Sequence, residues 1–349
     1  MEYAGKKIWL ESPDAADGYR KNYICGIEEY ISRKNSECRA ARRAALKPEM
    51  LALEQNIVRE QFRQMLGLPL FSGRSYRPAD LQYVGKDDIC RIYRLVVYIV
   101  DQIPFYSILL LPHGVSEPIP LVIAQHGGGG TPELCCDMNG KNNYNHMVQR
   151  ILSRGAAALA PQLLLWSQTE LQTAPAHPIP YNRKKIDQEL KRFGTSITAM
   201  EVTGIQKSLD YVSEMDCIDS ERVAMIGLSY GGYFTLYTMA ADTRIKAGYC
   251  AGAFNDRDVH CFEDWGYHCS ALKFQDSEVA ALCAPRKLYV QVGREDPVFD
   301  YRNAVPEAER ALEFYNAFGC PENFRFDLWD GGHTVSSDDA GYDFLFSEL

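Results

Sequence analysis

The stretch Val223–Asp242, VAMIGLSYGGYFTLYTMAAD, decides how the rest of the chain is read. Val223, Ala224, Met225 and Ile226 form a short continuous apolar run, as a strand buried on both faces requires. From Tyr233 to Ala241 the sequence reads as a helix. Ser229 therefore sits at a strand-to-helix turn, between Gly227 and Gly231. Such a turn lifts the hydroxyl above the sheet and aims the N–H of Tyr230 at negative charge developing near a helix N-terminus. A serine hydroxyl is a poor nucleophile until a base takes its proton, so the motif predicts partners elsewhere in the chain.

Two downstream strands end in suitable loops. KLYVQVGREDPVF (287–299) leads into Asp296, and FRFDLWDGGHTV (324–335) into His333. Serine, acid and histidine, each just after a strand, form a nucleophile–acid–base order. Glu295 and Asp300 compete for the acid's role; Asp296 is preferred because it lies just beyond the strand end, leaving room for the loop to turn toward His333. Upstream, VIAQHGGGG (122–130) ends a strand in His126 and four glycines. The bare N–H of Gly128 is suited to a second oxyanion donor, with His126 fixing the loop. Singly, each residue has an ordinary reading as a turn serine, a turn aspartate or an exposed histidine. It is their order and context that carry the chemistry.

Around these motifs strand-like and helix-like segments alternate from about residue 119, preceded by two antiparallel strands in DICRIYRLVVYIV and FYSILLLP. The expected fold is α/β, with a mostly parallel central sheet flanked by helices. Residues 1–83 read as a helical extension packed on the core, broken near Pro48. Within it Leu51, Leu53, Ile57, Val58, Phe62 and Leu66 form an apolar face that ends at Gly67 and Pro69. Residues 84–349 form the catalytic domain. Two stretches leave the rhythm, 165–196 and 254–273; both follow strand ends and are expected to be cap-like insertions that line a pocket. Trp166, Tyr181, Trp265, Tyr267 and His268 are their candidate substrate contacts.

From about Val84 to the C-terminus the chain resembles the α/β-hydrolase superfamily, near its dienelactone-hydrolase-like, acetyl-xylan-esterase-like and prolyl-oligopeptidase-like branches. The likeness is carried by AQHGGGGTPE (124–133), RGAAALAP (154–161), GLSYGGY (227–233), APRKLYVQVGREDP (284–297) and DGGH (330–333). The resemblance implies Ser229 as nucleophile, Asp296 as acid, His333 as base, and Tyr230 and Gly128 as oxyanion donors. It implies hydrolysis of a small-molecule carboxylic ester through an acyl-enzyme. A carbon–carbon bond hydrolase or aminopeptidase on the same triad, and a non-catalytic binding protein on this fold, are the alternatives. Dienelactone hydrolases use a cysteine nucleophile, so their substrate is not carried over to a chain with Ser229.

Composition sets the remaining expectations. With 37 basic and 46 acidic residues the formal charge is -9, which disfavours nucleic acid or an anionic membrane surface as partner. No segment approaches the roughly 18 to 20 apolar residues of a membrane span, and the first residues show no signal-peptide core, so a cytoplasmic protein is expected. A homo-oligomer is compatible with this composition. The 11 cysteines are scattered and odd in number, pointing to reduced, buried thiols. His260, Cys261, His268 and Cys269 match no standard zinc spacing. No metal or cofactor is expected.

Overall fold

A computed structural model describes residues 13–70, 78–100, 103–116, 118–138, 142–165 and 182–349. The chain divides into two compact units, residues 1–45 and 46–349, a boundary upstream of the one expected near residue 83. In the first unit the described residues form one helix, α1 (Pro13–Ala45).

The second unit is built on a nine-stranded sheet in the order β1-β2-β3-β5-β4-β6-β7-β8-β9. Its strands are β1 (Asp80–Lys86), β2 (Cys90–Tyr98), β3 (Pro104–Pro112), β4 (Ile119–Gln125), β5 (Ala157–Pro161), β6 (Ile218–Leu228), β7 (Ala247–Ala251), β8 (Lys287–Gly293) and β9 (Phe324–Trp329). The pairs β1–β2, β2–β3 and β3–β5 are antiparallel; the rest are parallel. Alternate residues of the central strands feed two cores. Leu121 and Ile123 of β4 join one, while Val122 and Ala124 join the other. Both faces are apolar because both are covered.

One face carries α2 (Pro48–Leu66), α5 (Ile197–Ser213), α6 (Tyr230–Ala241), α7 (Asp276–Cys283) and α8 (Tyr301–Ala317); the other carries α3 (Met147–Leu152) and α9 (Ala340–Phe346). A further helix, α4 (Arg183–Arg192), follows the first insertion. Among the described residues no helix is long and apolar enough to cross a membrane.

In α2, Pro48 opens the helix and Gly67 closes it with a left-handed φ of 94°, its N–H donating to Gln64 O at 3.0 Å. Leu51, Val58, Phe62 and Leu66 are buried, but Leu53 and Ile57 face solvent at 82% and 61% exposure, against the face read from the sequence. The reason is helical geometry: at about 3.6 residues per turn Leu53 and Ile57 point away from the stripe formed by Leu51, Val58, Phe62 and Leu66, so the six apolar residues do not share one face. Strand β1 escaped the sequence reading because no residue in it is buried. An edge strand exposed in this way has no alternation to detect.

Candidate active site

The site forms at the carboxyl ends of the parallel strands, where β4 neighbours β5 on one side and β6 on the other; such a switch in strand order leaves a crevice. Strand β6 runs into Ser229, whose N–H donates to Ala251 O at the end of β7 (2.8 Å). Ser229 then takes φ 60° and ψ -121°, left-handed geometry that a non-glycine residue adopts at a cost of about 1–3 kcal/mol. Both flanking glycines are sterically required. A Cβ on Gly231 would lie 2.1 Å from Gln125 O, and one on Gly227 2.3 Å from Gly231 O.

His333 Nδ1 lies 2.8 Å from Asp296 Oδ2. The Asp296 side chain is fully buried, and its other oxygen accepts from the N–H groups of Val298 (2.8 Å) and Phe299 (3.0 Å). Its competitors are engaged elsewhere: Asp300 pairs with Arg302 and caps α8, and Glu295 is exposed. The imidazole lies beside the Phe299 ring, with centroids 5.7 Å apart, and its backbone O accepts from Asn143 Nδ2 at 3.0 Å. It also lies over the end of β7: a Cβ on Gly252 would meet His333 Nδ1 at 3.2 Å. Gly252 follows Ala251, the partner of Ser229, so the three residues share one rim of the sheet.

The glycine loop presses on the elbow from the other side, because a Cβ on Gly127 would lie 3.1 Å from Ser229 Cβ. Gly127 N–H donates to the buried Tyr144 hydroxyl (3.0 Å), and Gly130 N–H donates to Gly127 O (3.1 Å). Gly128 N–H has no acceptor among the described residues. His126 braces this loop. Its Nδ1–H donates to Gly127 O (2.9 Å), its Nε2 accepts from Leu163 N–H (2.9 Å), and burial lowers its pKa to about 4, so the ring is neutral.

The comparisons agree with this architecture. The prolyl oligopeptidase family model matches residues 197–267, the segment containing the elbow. Among solved structures, a Bacteroides fragilis protein described as an acetyl xylan esterase superposes with a TM-score of 0.66 at 15% identity, covering 86% of this chain and 83% of its own. The glucuronoyl esterase of Solibacter usitatus gives 0.58 at 17% identity, covering 83% and 92%. The chain has the α/β-hydrolase fold. A Bacillus subtilis (strain 168) protein named as a hydrolase, YtaP, is 24% identical over 159 residues, 43% of this chain and 52% of YtaP, so the match spans about half of that relative.

The insertions in the fold hold the departures from expectation. Trp166 and Tyr181 lie outside the described residues. Trp265 and Tyr267 were expected to contact substrate, but they are only 3% and 8% exposed and serve as packing. Trp265 stacks on Tyr233 with centroids 4.2 Å apart, and the Tyr267 hydroxyl bonds to Tyr233 and donates to Thr198 Oγ1 (2.8 Å). Helix α6 presents aromatic rings on its insertion side, and the insertion answers with rings of its own. His268 is exposed. His260 packs against Phe262 and Phe299, and among the described residues no three potential ligands cluster for a metal. All 11 thiols are free, but Cys25, Cys261 and Cys269 are exposed, against the expected burial.

Sequence reasoning missed a buried ionic network. Arg183 of α4 bridges Glu201 of α5 and Asp264 of the second insertion, and Asp264 reaches Tyr230. Beside the network lies an apolar cavity of about 760 Å³, walled by Ile99, Phe105, Leu163, Leu165 and Met200, with Gln162 and Glu201 at its polar edge. Gln162 follows β5, and its amide lies 3.3 Å from His126 Nε2, which places the cavity at the same rim as the glycine loop.

Proposed function

We propose that the protein is a serine esterase acting on small-molecule carboxylic esters, with Ser229 as nucleophile, His333 as general base and acid, and Asp296 as its anchor. The observation that carries this reading is the 2.8 Å contact between His333 Nδ1 and Asp296 Oδ2, on the rim where Ser229 is held in a strained elbow. With Nδ1–H donated to a buried carboxylate, Nε2 is left as the basic nitrogen. It takes the Ser229 proton as the hydroxyl attacks the ester carbonyl, and Asp296 stabilises the imidazolium that forms. The N–H groups of Tyr230 and Gly128 receive the oxyanion. The tetrahedral intermediate collapses as His333 protonates the leaving alcohol, leaving Ser229 acylated. Water, deprotonated by His333, repeats the addition and releases the acid.

An ester is favoured over an amide because an alkoxide departs with less assistance than an amine. The neighbours named as acetyl xylan and glucuronoyl esterases support the same choice. The apolar cavity suits a substrate with a hydrophobic acyl or alcohol group. Ser229→Ala should fold normally and lose turnover on nitrophenyl esters by several orders of magnitude. Wild-type rates in that variant would refute the assignment. Diketone and aminoacyl-amide substrates in the same panel separate carbon–carbon hydrolase and aminopeptidase activity from esterase activity.

A further inference from the structure

Tyr230 offers the site more than a backbone. Its hydroxyl donates to Asp264 Oδ1 at 2.8 Å, while Asp264 Oδ2 accepts from Arg183 Nε at 2.8 Å. The Arg183 fork then grips Glu201, Nη1 to Oε1 at 2.9 Å and Nη2 to Oε2 at 2.8 Å. The backbone of Leu164 closes the array, its O accepting from Arg183 Nη1 (2.9 Å) and its N–H donating to Glu201 Oε1 (2.7 Å). All three charged side chains are buried: Asp264 is 2% exposed, Glu201 4% and Arg183 8%. Charges this deep persist only when their lone pairs and protons are taken up, and the Tyr230 hydroxyl takes up one oxygen of Asp264. The Tyr230 ring is gripped as well, stacked on Phe262 (centroids 5.1 Å apart) and edge-on to Trp265 (4.9 Å).

A residue anchored at ring and hydroxyl cannot swing its own peptide plane freely. The plane in question carries the N–H that follows Ser229. We propose that Asp264 is a positioning residue for the reaction: by holding the Tyr230 hydroxyl it aims the Tyr230 N–H at the oxyanion, and Arg183 and Glu201 hold Asp264 in place. The inference rests on the esterase reading and extends it, since it assigns the second insertion a role in the chemistry rather than only in covering the site. The donor's aim matters most when charge has formed on the substrate oxygen. Its loss therefore acts on the transition state and leaves ground-state binding intact.

Tyr230→Phe keeps the ring and removes the hydroxyl that bonds to Asp264. Expected is a fall in kcat of about tenfold at unchanged KM, with fluorophosphonate labelling of Ser229 slowed by a similar factor. Adding Asp264→Ala to Tyr230→Phe should lower kcat no further, because the two side chains act as a unit. A Tyr230→Phe enzyme with wild-type kcat, one altered in KM alone, or losses that multiply in the double variant would overturn the proposal. If Asp264→Ala does not reach the wild-type near-ultraviolet circular dichroism, the kcat and KM of Tyr230→Phe decide alone. Ser229→Ala run alongside separates the two claims. Loss of turnover there with unaltered Tyr230→Phe kinetics removes only the positioning role, whereas retained turnover removes the esterase reading and this inference with it.

Discussion

Ser229 spends conformational energy to stand where it does, and Asp296 spends desolvation energy; both costs are repaid only if the residues act together. Asp296 accepts two backbone N–H groups on one oxygen and leaves the other for His333. Asp296→Asn should therefore preserve the loop while presenting the ring with a donor in place of an acceptor. That substitution favours the tautomer with its proton on Nε2, which cannot take the Ser229 proton. A loss of about 10³- to 10⁴-fold in kcat is expected, with thermal stability changed little, as checked by ester turnover and calorimetry on one preparation. These residues were legible in the sequence because each follows an apolar strand, and a strand end fixes where its loop begins. Asp264 was not legible. It is distant in sequence from Tyr230, Arg183 and Glu201 alike, and no periodicity links residues that meet only because an insertion folds over a helix.

Among the elements, the central strands were legible for the same reason that they are stable: burial on both faces leaves continuous apolar runs. Helix α7 escaped notice. Its residues DSEVAALC are buried throughout, so it shows no amphipathic stripe. At its N-terminus α7 meets α8 through carboxylates. Glu307 of α8 accepts from Ser277 N–H (3.1 Å), and burial, with Glu278 and Asp276 nearby, raises its pKa from 4.5 to about 7. Asp276 is paired with Arg257, and Arg310 approaches Glu278 at 4.0 Å. Folded protein thus holds this proton to about pH 7, whereas the unfolded chain releases it near 4.5. The stabilisation is fully present below pH 4.5 and is lost as pH rises through 7, an effect of up to roughly 3 kcal/mol. Glu307→Gln should gain stability relative to wild type across that window in urea unfolding from pH 4.5 to 8. Parallel curves for the two proteins would show that Glu307 is not held protonated.

At the scale of the molecule, the residues that carry the chemistry and both cores belong to the unit 46–349. Its strand order brings the ends of β4, β6, β7, β8 and β9 together, so that side chains from distant parts of the sequence meet on one rim. The fold class was legible because the alternation of strands and helices persists for most of the chain. The cover over the rim was not, because the aromatic residues of the second insertion serve equally well as pocket wall or packing, and Trp265 and Tyr267 are packing. What the whole arrangement claims is that one serine is activated. The most direct measurement is to treat folded protein with a fluorophosphonate and map the adduct by peptide mass spectrometry. The account predicts a single stoichiometric adduct on Ser229, lost when His333 is replaced by alanine; a folded protein that hydrolyses esters yet leaves Ser229 unlabelled would contradict it.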